Sequence, residues 1–115
     1  SNKQNIQDAF IATSAPAAFS TKGFQAFERV SSACRDVYYG GDCHNYALLA
    51  AGYIDIVMEH QLGVYDMMAL VPVLYASGAM VTDWSGQPIT NINQGEILAA
   101  ATPELHAQAL SLISV

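Results

Sequence analysis

The stretch from Gly40 to Gly86, GGDCHNYALLAAGYIDIVMEHQLGVYDMMALVPVLYASGAMVTDWSG, constrains the chain more than any other. Its glycines cut it into segments of strand and helix length, because a residue free to take positive φ ends regular structure without steric cost. The Gly40-Gly41 pair permits a tight turn, and Asp42 then stands as an N-cap with Gly52 as the stop, which predicts a helix between them. Ile54 to Met58 reads as a strand, followed by a loop through Gly63. Asp66 opens an apolar segment through Met67, Met68, Leu70, Val71, Val73 and Leu74 that predicts a helix. Pro72 removes one backbone donor and loosens that helix near Met68, or else the helix begins near Pro72 itself. Gly78 closes it, Ala79 to Thr82 forms another strand, and Ser85 to Pro88 makes a turn.

The flanks continue the alternation. Asp8 to Ala12 predicts a strand ended by Thr13-Ser14-Ala15-Pro16, and Thr21 caps a helix through Val30 whose Phe24, Phe27 and Val30 are core candidates. Ala33 to Tyr38 is a second strand, Glu96 to Ala100 a later one, and Pro103 starts a final helix capped by Thr102. Strands alternating with helices predict an α/β fold, a layered sandwich in which helices flank a mixed, largely parallel sheet. With no internal repeat and no linker, residues 1–115 read as one domain.

Charge narrows the function classes. Four basic residues against ten acidic ones give a formal charge of −6, which argues against nucleic acid and against anionic membranes as partners. No apolar run is long enough to cross a bilayer. Only 12% of residues are charged, which is low for a small domain with a large surface, so some apolar surface is expected to meet a missing half of the protein or a second subunit. Cys34 and Cys43 form neither a metal-ligand spacing nor a disulfide framework, which is the pattern of thiols in a reducing, cytoplasmic setting. Ser1-Asn2 has the look of residues left by removal of an expression tag.

Asp66 is the first candidate for chemistry: a carboxylate at a helix start is favoured by the dipole and suits a hard cation, although simple capping explains it equally. Glu59 ends the strand Ile54 to Met58, and since ligands gather at the carboxyl ends of strands in open α/β sheets, Glu59 and Asp66 are placed to share one crevice. The bland reading of Glu59 is a solvated strand end. Gly40, Gly41 and Asp42 lead into a helix whose free N–H groups suit a phosphate or another polar group. His44, His60 and His106 match no common zinc arrangement with the cysteines. Arg35 pairs with substrate or makes a structural salt bridge, Cys43 packs, and Asp83 and Trp84 read as a turn carboxylate and a buried indole.

In the Gly40 to Cys43 segment, the Tyr46 to Gly52 helix, Asp55, Glu59, Tyr65-Asp66, and Val81 to Trp84 with Gly86, the sequence resembles the inositol monophosphatase superfamily, most closely its histidinol-phosphatase-like branch. The Glu-Glu pair and the Asp-Pro-Xaa-Asp-Gly-Thr segment that carry further metal ligands in the N-terminal part of such enzymes do not occur here. The resemblance therefore implies the C-terminal portion of a Mg2+-dependent phosphomonoesterase acting on a small phosphate ester such as histidinol phosphate or inositol monophosphate. It implies Asp66 as metal ligand and Gly40, Gly41, Asp42 and Glu59 as substrate contacts. The N-terminal half of the same enzyme would supply the rest, with little activity expected of the portion alone, and homodimers are common in the family. The alternative expectation is a non-catalytic interaction or oligomerisation module of the same fold.

Overall fold

A computed structural model describes residues 3–13, 19–40, 44–59, 71–89 and 96–114. After a single 3-10 turn at Ile6–Asp8 the elements run β1 (Phe10–Thr13), α1 (Thr21–Ala33), β2 (Asp36–Tyr39), α2 (His44–Ala51), β3 (Ile56–Glu59), α3 (Val71–Ala76), β4 (Met80–Thr82), β5 (Ile97–Ala100) and α4 (Pro103–Ile113). The five strands form one sheet in the order β2-β1-β3-β5-β4. β1 runs parallel to both β2 and β3, and β5 runs antiparallel to both β3 and β4. The sheet is mixed, as the sequence implies, with parallel and antiparallel pairings in equal number.

Both faces of the sheet are covered, which is why its inner strands are almost wholly apolar. All four residues of β3 and of β5 are buried, whereas edge strand β2 is mostly exposed. On one face Ile11, Ile56, Met58, Leu98 and Ala100 pack against Phe27 and Val30 of α1 and Leu105 and Ala109 of α4. On the other, Ala12, Val57, Val81, Ile97 and Ala99 meet Tyr46 and Leu49 of α2 and Leu74 of α3. The result is a three-layer sandwich. Each fully buried large side chain, such as Phe27 at 1% exposure, stabilises it by about 2–3 kcal/mol.

Local chemistry shifts several boundaries. Asn5 caps the 3-10 turn through its side-chain oxygen, so the first strand starts at Phe10 and takes in Thr13 instead of ending before it. Ser20, not Thr21, caps α1 by accepting from the Gly23 N–H at 3.0 Å, and the helix continues to Ala33, which delays β2 to Asp36. The buried stripe of α1 is Gly23, Ala26, Phe27 and Val30. Phe24 lies beside that stripe and is 37% exposed, so it is a flanking ring near Phe19 and Phe27 and not a core residue. Pro72 falls inside α3, and the part of the expected helix from Asp66 to Leu70 lies outside the described residues. Thr102 caps α4, with Pro103 in its first turn, as expected. Gly86 takes a φ of +84° in the turn after β4, and a Cβ there would stand 3.0 Å from Leu110 Cδ2, so backbone and packing both favour glycine. None of the described helices is long and apolar enough to cross a membrane.

One buried carboxylate fastens the amino edge of the sheet. Asp55 is 1% exposed; its Oδ2 accepts from the Phe10 N–H at 2.8 Å and from Lys3 Nζ at 3.0 Å. Its own N–H donates to Phe10 O, and its carbonyl accepts from the Ala101 N–H. Thr102 Oγ1 donates to Lys3 O, so the start of the chain, β1, β3 and the end of β5 meet at this residue. Replacing Asp55 by Ala leaves the buried Phe10 N–H without this acceptor and is expected to cost about 2–4 kcal/mol. Lys3→Met, which removes a side chain that is 37% exposed and leaves Asp55 its bond from the Phe10 N–H, is expected to cost less than Asp55→Ala. Urea unfolding of the three proteins checks the order.

Candidate active site

At the opposite edge, the parallel strands β2, β1 and β3 end side by side, and their last residues carry two of the candidate substrate contacts. Gly40 follows β2 directly, Thr13 ends β1 and Glu59 ends β3. Gly40 has a φ of +98°, and apart from its chain neighbours no atom of the described residues lies within 4 Å of where a Cβ would stand, so its backbone conformation calls for glycine. The Gly40 N–H donates to Thr13 O at 2.9 Å, and the Gly40 carbonyl accepts from Asn45 Nδ2 at 2.8 Å. Asn45 is fully buried in the first turn of α2, which follows this turn in the chain.

Glu59 is not a solvated strand end. It is 2% exposed, sits opposite Ile97 of β5, and its Oε2 accepts from Thr13 Oγ1 at 3.4 Å. Taking a carboxylate out of water is costly unless donors are aimed at it, so a buried glutamate at the mouth of a sheet is a candidate for function. The sheet thus brings Gly40 and Glu59 to one edge with Thr13 between them. Gly41, Asp42 and Asp66 lie outside the described residues. Thr13 itself carries no signal in the sequence beyond a β-branched residue before a turn, and only the strand order reveals its place.

Magnesium takes hard oxygen ligands, six of them in a near-octahedral shell. Among the described residues no group of three or more His, Cys, Asp or Glu side chains is placed to hold a metal ion, so these residues alone do not make such a shell. Arg35 precedes β2 and so stands at the amino edge, with its guanidinium 5.9 Å from the Phe10 ring centroid, away from Glu59 and Gly40. Asp83 is a turn carboxylate, accepting from the Ser85 and Gln87 N–H groups at 2.8 and 2.9 Å. Trp84 is a buried indole that donates to Ile97 O at 3.1 Å. A cavity of about 310 Å³ lined by Phe10, Val37, Tyr38, Leu48, Tyr53 and Ile54 opens on the amino side of β1 and β2, and not at the carboxyl edge.

The model of the inositol monophosphatase family matches residues 1–114. The chain belongs to that family. A curated family relative from Arabidopsis thaliana, named bifunctional phosphatase IMPL2, chloroplastic, is 36% identical over 91% of this chain and 32% of its own length. The solved structure of an inositol monophosphatase from Zymomonas mobilis, reported for a flexible region at its active site, superposes with a TM-score of 0.92 at 37% identity, covering 96% of this chain and 44% of that one. An IMPase from Thermotoga maritima shares the fold at a TM-score of 0.83 and 18% identity, over 99% of this chain and 43% of that one. The chain therefore spans about a third of the curated relative and under half of these solved structures.

Outside the carboxyl-edge trio, Cys34 and His106 have pKa values moved by burial. Burial, helped by the negative charge of Asp55, pushes the Cys34 thiol up to about 12. That leaves about a thousandfold less thiolate than an ordinary cysteine and makes Cys34 inert, in keeping with a packing role. In a Cys43→Ser background, Cys34 is expected to react with a disulfide reagent at pH 8 about 100-fold more slowly in the folded chain than in denaturant; equal rates would contradict the burial. His106 is buried on α4 with Nε2 2.7 Å from Thr82 Oγ1, whose own proton goes to Asp83 O. Nε2 is thus the donor of the neutral ring. Burial lowers the His106 pKa below the ordinary value, so its stabilising share is complete above about 6.5 and is lost as pH falls from there through the lower folded value. Denaturation between pH 5 and 7.5 is expected to show that loss in the wild type and to lack it in His106→Gln, which keeps an Nε2 donor.

Proposed function

We propose that this chain is the C-terminal part of a magnesium-dependent phosphomonoesterase that hydrolyses a small phosphate ester, histidinol phosphate or inositol monophosphate being the esters that its sequence suggests. The observation that carries the reading is the convergence of Gly40 and Glu59 on one sheet edge in a chain of the inositol monophosphatase family. In this reading Glu59, an acceptor through both oxygens, holds a substrate hydroxyl or ammonium group. With the Gly40 N–H held by Thr13 O, the N–H groups that follow it in the chain are the ones that would meet a polar or anionic part of the substrate, Gly41 and Asp42 being the candidates. Asp66 gives a hard oxygen to magnesium, and the N-terminal half of the protein gives the other carboxylates. Magnesium, when bound, neutralises phosphate charge and lowers the pKa of a coordinated water.

A second reading, a non-catalytic interaction module, is favoured by one observation: Tyr38, Tyr39 and Tyr53 are 53%, 55% and 73% exposed on and beside edge strand β2. Tyr38 and Tyr39 are consecutive in the strand and face opposite sides of the sheet, so this edge exposes aromatic surface on both, which is unusual where only water is met. It is compatible with the first reading as well, because an enzyme can also associate through that edge.

Phosphate release from histidinol phosphate and inositol monophosphate, with magnesium and the protein extended to the length of its relatives, separates the two. Asp66→Asn is expected to lower kcat at least about 100-fold. Glu59→Gln is expected to raise KM about tenfold with a smaller change in kcat. Unchanged turnover in Asp66→Asn would remove that residue from the reaction. The 115-residue chain alone is expected to show little turnover and weak magnesium binding by calorimetry, since one carboxylate cannot complete the shell.

A further inference from the structure

We propose that Thr13 is a positioning residue of the carboxyl edge, the group that holds the Glu59 carboxylate in place against the Gly40 turn. The proposal deepens, and rests on, the reading of that edge as a phosphate-ester site. Its basis is that the carbonyl and the hydroxyl of Thr13 are bonded to candidate substrate contacts at the ends of the two neighbouring strands. The Thr13 carbonyl accepts from the Gly40 N–H at 2.9 Å, and the Thr13 hydroxyl donates to Glu59 Oε2 at 3.4 Å. Thr13 is 0% exposed, so its hydroxyl has no bulk water as an alternative partner.

Threonine suits the task for a physical reason. Its two heavy substituents on Cβ restrict χ1, so a strand-end threonine offers an oriented donor where serine offers a more mobile one. The terminal torsion of glutamate is broad, and a donor fixed on one oxygen decides how the carboxylate plane turns. Fixing Oε2 in this way governs where Oε1 points. On the other side, the bond to the Gly40 N–H holds the start of the glycine turn, and Asn45 Nδ2 holds the carbonyl of the same glycine. Asn45, Gly40, Thr13 and Glu59 are therefore linked across the ends of three strands, and Thr13, 46 residues before Glu59 in the chain, couples that carboxylate to Gly40. At 3.4 Å the hydroxyl bond is long, which predicts a modest effect and not an essential one.

The substrate class that benefits carries an anionic group and, a few ångströms off, a hydroxyl or ammonium donor. A contact made equally in the ground and transition states changes KM and spares kcat. Thr13→Val keeps the shape and the main-chain bond to Gly40 and deletes only the hydroxyl. In the protein extended to the length of its relatives, with histidinol phosphate and magnesium, Thr13→Val is expected to raise KM about fivefold with kcat within about twofold, and Thr13→Ser to restore most of the loss. In a Glu59→Gln background the same change is expected to alter KM less than about twofold, because the group it positions is already altered.

A fall in kcat without a rise in KM, equal effects of Val and Ser, or a full fivefold rise added to that of Glu59→Gln would each overturn the positioning role. If no phosphate ester is turned over, the functional reading fails and takes the substrate role with it; melting temperatures of the two single variants and the double variant then decide the pair itself. Non-additive shifts would uphold the Thr13 to Glu59 coupling, and additive shifts would overturn it.

Discussion

A carboxylate with 1% exposure at the start of β3 is a constraint that the surrounding structure has to satisfy, and Asp55 meets it with the Phe10 N–H and the Lys3 ammonium. Once those bonds exist, β1 and β3 cannot slide, because the side chain of one is fastened to the backbone of the other. A slip of one residue would also turn every side chain of a strand to the opposite face. The Ala101 N–H on the Asp55 carbonyl extends the same fastening to β5, which reverses direction relative to β3. The register in which Thr13 and Glu59 come together is thus set at the other end of the sheet.

The two edges differ in kind. At the amino edge the polar groups are matched and the aromatic ring of Phe10 has two cations near it, Lys3 Nζ at 4.4 Å from its centroid and the Arg35 guanidinium at 5.9 Å. Such contacts hold the chain together and leave little for chemistry. At the carboxyl edge a glycine with positive φ and a buried glutamate replace them, the second of which is a locally unfavourable choice. Conflicts between local preference and fold gather where function is kept.

Much of the architecture is legible in the sequence because its punctuation is explicit. Gly52 and Gly78 stop helices, Thr102-Pro103 starts one, and β5 shows as a short apolar run. Boundaries shift where a competing cap decides, as at Ser20 over Thr21 and at Asn5 before β1. Glu59 is legible as a strand-end carboxylate, but its burial is not, since that depends on β5 pairing with β3 from a distant part of the chain. Thr13 is invisible for the same reason. Phe24 shows the opposite error: an aromatic residue near the right helical phase is not thereby in the core, because the stripe of α1 passes through the smaller Gly23 and Ala26.

Charge assigns the ends of the proposed site. The chain has a formal charge of −6, and Glu59 adds a negative group at the edge itself, so this edge repels a phosphate that arrives without a cation. A glutamate there is therefore badly suited to the phosphate end of a substrate and well suited to the other end, where a hydroxyl or ammonium can donate to it. Backbone N–H groups after Gly40 have the opposite preference, for anions. Gly40 after β2 and Glu59 at the end of β3 stand two strand intervals apart with β1 between them, about 10 Å. A span of that size fits a small ester with a polar group across a ring from its phosphate. In the proposed reading, strand register sets the distance between the two recognition elements, and Thr13 ends the strand that lies between them.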